Sequence, residues 1–308
     1  MTSRFFLHCA ITFILMLPVV ATPQDHESAT SEPRILFIRG GPGTGGFLEG
    51  GADEQLSDIN DTSTSSGNHG WATLAGVLRD EGYVLEQVIE ENEAEPAPVP
   101  LESMDLSQYA VIVFGSNNRA YGSDAVDAVE AYIRGGGGAL FISDANWGTD
   151  WHVAPDSDQH FLDRFGWRMN QDTGTYAISD SEFIGDPHPI LEGAASFDGE
   201  GVSPITVEDN DIPGVSSRVL APAKGNVRRN TTTGAGPATP ATANDGSLVI
   251  ATADQGRIAG HFDRNTFFNQ NGAGTNITRL SNAQYARNLF KWLAGDAVGG
   301  ESNVMSIQ

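Results

Sequence analysis

Residues 135–146 read GGGGALFISDAN. A glycine run ends whatever helix precedes it, because glycine gives up the most backbone freedom in a helix. The apolar run at 139–142 that follows is short and unbroken, as strands covered on both faces are. From Ser143 onward the chain turns polar at once. Upstream, residues 123–134 place Val126, Val129, Ala131 and Ile133 at helical spacing, with Ser123 as the expected N-cap. Before that helix lies a second unbroken run, AVIVF at 110–114. Strand, helix and strand in this order make a crossover unit, which joins parallel strands.

The same alternation continues on both sides. RILFI at 34–38 and residues 84–89 read as strands, with a helix over 71–81 that carries Leu74, Val77 and Leu78. A short helix is expected at 158–165, strands at 247–251 and 257–260, and an amphipathic helix at 282–294. The expected fold is therefore α/β, a doubly wound, mostly parallel sheet. Residues 166–246 differ, being rich in Gly, Pro, Thr and Asp with short β-like pieces at 205–207 and 217–220. They read as a β-rich insertion.

The chain has 308 residues with 17 Lys+Arg against 40 Asp+Glu, a formal net charge of −23. Only Lys224 and Lys291 are lysines. Nucleic acid is excluded as a partner, because its phosphates demand basic side chains. An anionic membrane surface is excluded for the same reason. Residues 1–21 have the form of a secretory signal: Arg4, a largely apolar stretch over 5–20, and Val-Val-Ala before Thr22. Residues 22–32 follow as a linker, 33–295 as the α/β domain and 296–308 as a flexible tail. The expected location is secreted, periplasmic or extracellular, with no membrane insertion after cleavage. Cleavage removes Arg4 and moves the formal charge from −23 by one unit to −24. It also removes Cys9, the only cysteine, and with it any thiolate nucleophile.

In an open parallel sheet, ligands bind beyond the carboxyl ends of the strands. Reading just past each strand gives four segments: Arg39 with a glycine-rich loop, Asn117-Asn118-Arg119, Asp144 to Trp147, and His261 to Asn265. Asn117, Asn118, Arg119, Asn146, Trp147, Arg264, Asn265 and Asn269 are the expected ligand-binding residues. Their amides supply paired donors and acceptors of the kind sugar hydroxyls use. Asp144, His261 and Asp263 are the candidate catalytic groups, Asp144 as acid/base and one of the others as its partner. The Gly41-x-Gly43-x-x-Gly46 spacing lacks the helix that a dinucleotide site needs, so no nucleotide is expected. No cofactor is called for, although the loop with Asp144, Asp150, His152, Asp156, Asp158 and His160 could take calcium; a metal site is left open.

GGGGALFISDAN, DPHPILEG at 186–193 and the closing GRIAGHFDRNTFFNQNGAGT…NAQYARNLFKWLAG together resemble the class I glutamine amidotransferase-like superfamily. The likeness is to its non-amidotransferase branches, the trehalose-utilisation-type and the gliding-motility and intraflagellar-transport-type domains. It spans most of residues 33–295 and implies a flavodoxin-like sandwich. True amidotransferases carry a nucleophilic Cys in the turn where this chain has Asp144-Ala145-Asn146. The His188-Pro189 pair is followed by Ile190, not by the Glu of an H-x-E pattern. Glutamine hydrolysis is therefore not expected. Three readings remain: a binding protein for a small molecule or glycan, most simply a carbohydrate; a carbohydrate-active hydrolase using Asp144 with Asp263 or His261; or a structural and interaction module. Oligomeric state is left open.

Overall fold

A computed structural model describes residues 32–39, 57–62, 70–90, 99–116, 121–142, 154–171, 174–231, 234–270 and 274–295. The expected signal segment and tail lie outside them. In chain order the first half forms β1 (Arg34–Arg39), α1 (Ala72–Asp80), β2 (Val84–Ile89), β3 (Val111–Ser116), α2 (Ser123–Arg134), β4 (Gly138–Ile142) and α3 (Ala154–Asp163). The second half forms β5 (Trp167–Gln171), β6 (Thr175–Ser179), β7 (Ser196–Glu200), β8 (Ile205–Val207), β9 (Val215–Pro222), β10 (Asn226–Thr231), β11 (Gly234–Pro240), β12 (Asp245–Ala253), β13 (Gly256–His261) and α4 (Asn282–Leu293).

The main sheet has 11 strands in the order β11-β10-β5-β8-β12-β13-β4-β3-β1-β2, with β9 also paired to β12. From β2 through β13 neighbouring strands are parallel. From β12 outward every pairing is antiparallel. The sheet is mixed, with parallel pairing confined to one half. The change of direction follows from the β12–β13 connection, where Ala253 pairs Gly256 across Asp254 and Gln255. So short a turn can join only antiparallel strands. Asp254 takes the left-handed conformation the turn requires, at φ 49°.

Residues of the parallel strands alternate between two cores. Ile35, Phe37, Val111, Val113, Leu140 and Ile142 face α1 and α4. Leu36, Ile38, Ile112, Phe114, Ala139 and Phe141 face α2 and α3. Because both faces are covered, polar residues have no place in these strands, and the apolar runs read from the sequence result. The small β6–β7 sheet adds Ile178 and Phe197 to the α4 side.

Two helix starts differ from expectation. Ser123 is the first helical residue, not the cap; Gly122 holds that position and the Ser123 hydroxyl turns to Asp124. The helix expected at 158–165 begins earlier, at Ala154, because Pro155 is tolerated in a first turn. The glycine run behaves as read. A Cβ at Gly137 would meet the Tyr132 ring at 2.2 Å, and one at Gly138 the Leu293 carbonyl oxygen at 2.3 Å. The segment expected as an insertion does carry strands, but β5, β8, β9 and β10 extend the main sheet.

Candidate functional site

The carboxyl ends of β1, β3, β4 and β13 meet along one edge: Arg39 aligns with Ser116, Phe114 with Phe141, and Ile142 with His261. The chain leaves β1 outward to β2 and returns to β3 on the opposite side. The order thus reverses between β1 and β3, the position where crevices open in such sheets.

On the β1 side, Arg39 is buried and its guanidinium lies 3.4 Å from an Asp58 oxygen. Burial lowers the arginine pKa, while Asp58 and Asp61 oppose that shift. Asp58 also fastens residues 57–62 to the sheet. Its carboxylate accepts from Gln87 Nε2 at 3.1 Å, and Gln87 Oε1 accepts from the Ile59 N–H at 3.0 Å. Ser57 donates to the Gly115 carbonyl at 3.2 Å, and the Trp71 N–H donates to the Asp58 carbonyl at 2.7 Å. A Cβ at Gly115 would strike the Trp71 ring at 2.9 Å, so the next-to-last residue of β3 must be small. Glu90 is buried just past β2 and accepts from the Tyr121 hydroxyl at 2.9 Å.

On the β13 side, His261 is fully buried among the rings of Phe267, Phe262 and Tyr285, at centroid distances of 4.9, 5.0 and 5.4 Å. Both its nitrogens are engaged. Thr266 donates to the Asp198 carbonyl at 2.6 Å, so its oxygen accepts from His261 Nε2–H at 2.9 Å. The Tyr285 hydroxyl then donates to Nδ1 at 2.9 Å, which settles the tautomer. Burial pushes the imidazole pKa down to about 3, so the ring is neutral at ordinary pH. The Asp198 carboxylate is itself buried, accepting from Asn282 Nδ2 at 2.8 Å with Arg279 Nε at 3.1 Å.

Asp263 is fully buried and spends its carboxylate on main chain: one oxygen accepts from the Glu200 N–H at 2.5 Å, the other from the Asn265 N–H at 2.9 Å. Asn269 is buried as well. It accepts from the Thr73 N–H at 2.8 Å and donates to the Asp61 carbonyl at 2.7 Å, thereby capping α1 from the far end of the chain. Arg264 is 9 % exposed and accepts from Trp71 Nε1 through its carbonyl at 3.3 Å. Asn265 is half-buried beside it.

His261, Asp263, Arg264, Asn265 and Asn269 thus lie in one segment at the expected edge. Asn117, Asn118, Arg119, Asp144, Asn146 and Trp147 lie outside the described residues. Among the described residues, no group of three or more His, Cys, Asp or Glu is placed to hold a metal ion. Sequence reading missed Asp58, Trp71, Glu90, Tyr121 and Asp198. One signal was available: Asn282, Tyr285 and Asn288 recur every third residue on α4, and polar groups on a core-facing helix stripe need buried partners.

No family model matches the sequence, and no curated protein matches it. Solved structures do. The N-terminal domain of mmIFT52 is similar at 14% identity with a TM-score of 0.53, covering 84% of this chain and 97% of that one. A cytoplasmic protein from Salmonella typhimurium follows at 15% identity and TM-score 0.49, covering 84% of this chain and 99% of that one. A ThuA-like protein from Parabacteroides merdae gives 12% identity and TM-score 0.46, over 86% and 91% of the two chains. The mmIFT52 domain is of the intraflagellar-transport kind that the GGGGALFISDAN and GRIAGHFDRNTFF segments resemble. At such identities the likeness is one of fold, and the chain shares the fold of the mmIFT52 domain.

Proposed function

We propose that the chain is an exported ligand-binding protein on a flavodoxin-like, amidotransferase-like fold, without glutaminase activity, and that its ligand is a carbohydrate. One observation supports binding over catalysis. The nitrogens of His261 and the oxygens of Asp263 are all engaged within the protein, which holds the edge in shape and leaves neither group placed to move a substrate proton. A hydrolase would need one of them released toward Asp144. The turn that Asp263 fixes carries Arg264 and the half-buried Asn265 just past the carboxyl end of β13. In this reading Asn265 donates to and accepts from a sugar hydroxyl pair, and Asn117, Asn118, Arg119, Asn146 and Trp147 are further ligand contacts.

Isothermal titration against a panel of mono- and oligosaccharides tests this reading. Asn265→Ala and Asn146→Ala are expected to weaken binding by about tenfold each, as the loss of one or two hydrogen bonds would. Absence of binding across the panel, or affinity indifferent to both substitutions, overturns it. N-terminal sequencing of protein recovered outside the cytoplasm is expected to begin at Thr22; recovery of the chain in the cytoplasm alone, with Met1 intact, removes the export claim.

A further inference from the structure

The two ends of the main sheet are built differently. At one end lies β11, GAGPATP, in which Pro237 and Pro240 have no N–H to offer. Such a strand is a poor template for another chain. At the other end lies β2, VLEQVI, which contains no proline, glycine or lysine. Among the described residues its pairing is to β1 alone, in unbroken register from Val84 to Ile89. Val84 and Ile89 are 38% and 48% exposed, and they are half of the exposed large hydrophobics among the described residues, with Ile184 and Leu280.

The direction of the main-chain groups follows from two bonds. The Val84 N–H donates to the Pro33 carbonyl at 3.0 Å and the Glu90 N–H to the Arg39 carbonyl at 2.9 Å. Even-numbered residues therefore turn toward β1, and Leu85, Gln87 and Ile89 turn their N–H and C=O groups outward.

We propose that β2 pairs antiparallel with β2 of a second copy of this chain, across a two-fold axis at Gln87. An axis normal to the sheet sets one residue opposite itself. Centred on Glu86 it would bring two carboxylates together, which is destabilising. Centred on Gln87 it sets amide against amide, Leu85 opposite Ile89, and Glu86 opposite Val88. Main-chain groups of Gln87 then bond to Gln87 of the second copy, and those of Leu85 to Ile89. Glu86 already has its counter-charge in Arg34 of β1, at 2.5 Å. The contact is closed and isologous, so it stops at a dimer. A single strand pair buries far less than the ~1,600 Å² of a standard interface, so the dimer is weak and reversible. Each copy carries −23, so the copies repel and added salt strengthens the dimer.

Sedimentation velocity over a wide concentration range, at low and at molar NaCl, tests this inference. The expected result is a monomer–dimer equilibrium that salt shifts toward dimer. Ile89→Pro removes an outward N–H that the β1 ladder does not use. Gln87→Lys sets like charges opposite one another while an ammonium still faces Asp58. Each is expected to raise the dissociation constant by about tenfold or more, with circular dichroism confirming the fold. In a Cys9→Ser background, Gln87→Cys is expected to cross-link to itself on oxidation and Glu86→Cys is not. A monomer under all conditions overturns the proposal. So does a dimer indifferent to both Ile89→Pro and Gln87→Lys, or cross-linking by Glu86→Cys in place of Gln87→Cys.

Discussion

The parallel half of the sheet, β2 to β13, and the antiparallel half, β12 to β11, are held by different forces. In the first, strands lie between two layers of helices and contribute apolar area to both: β4 is buried at every position. In the second, side-chain polar bonds carry much of the join. Asp245, buried at the start of β12, accepts from Thr206 of β8 and from the Thr242 N–H and hydroxyl, each of the latter at 2.8 Å. Arg229 of β10 donates to the same Thr206 and lies 3.6 Å from Asp245. Asn170 of β5 donates to the Thr206 hydroxyl at 2.9 Å. Apolar burial is indifferent to partner and register in a way that a hydrogen-bonded carboxylate is not. The first half is therefore robust to conservative change, and the second is specified residue by residue.

The comparison can be broken most forcefully in the parallel half. Phe141 stacks on Phe114 at 4.7 Å and lies 5.8 Å from Phe161. Phe141→Ala should lose about 3–5 kcal/mol in denaturant unfolding, through lost transfer energy plus a cavity. Asp245→Ala should cost about 2–3 kcal/mol, because Thr206 and Thr242 lose their buried acceptor. Hydrogen exchange should then rise in β8 and β10 and not in β4; equal loosening of both halves would erase the distinction.

Acid should act through the histidines. His261 and His188 have folded pKa values lowered by burial from 6.5 to about 3 and about 4. A lowered histidine pKa gives stability that is complete above about pH 6.5 and is lost as pH falls toward those values. Melting temperature should therefore drop on acidification from pH 6.5, and less steeply in His261→Gln. Tyr285→Phe, which removes the donor to Nδ1, should cost about 1 kcal/mol at neutral pH. The smallest effect belongs to Glu182. Its pKa is lowered to about 2 by Lys224 and by Ser179, yet both side chains of the ion pair are 35% exposed. Glu182→Gln should change stability by under about 1 kcal/mol, as screened surface pairs do.

What could be read from sequence follows the same division. The runs at 34–38, 110–114 and 139–142 located β1, β3 and β4 because strands covered on both faces admit only apolar residues. In the antiparallel half the strand NVRRNT gives no such signal, since one face meets solvent and Arg229 is bonded by its guanidinium, not by its period. The turn between β12 and β13 was legible only as two strands, because Asp254 takes the left-handed conformation without the glycine that usually marks it. The candidate edge was reached through a topological rule, which names strand ends. It could not name Asp58 or Trp71, which arrive from loops and have no spacing of their own. His261 was recognised as polar and well placed; its engagement by Tyr285 depends on a helix that begins 21 residues later, and only the three-dimensional packing joins the two.

The cap on α1 also has a consequence in time. The Thr73 N–H waits on Asn269, 196 residues further along, and the Asn269 N–H in turn bonds the Gly70 carbonyl at 2.9 Å. During synthesis the first helix therefore emerges with its leading end unfinished, and nearly the whole chain must be made before that end can be closed. Loop closure over such a span is slow compared with local helix formation. Completion of α1 is thus among the last events of folding, since its cap cannot close until residue 269 has been made.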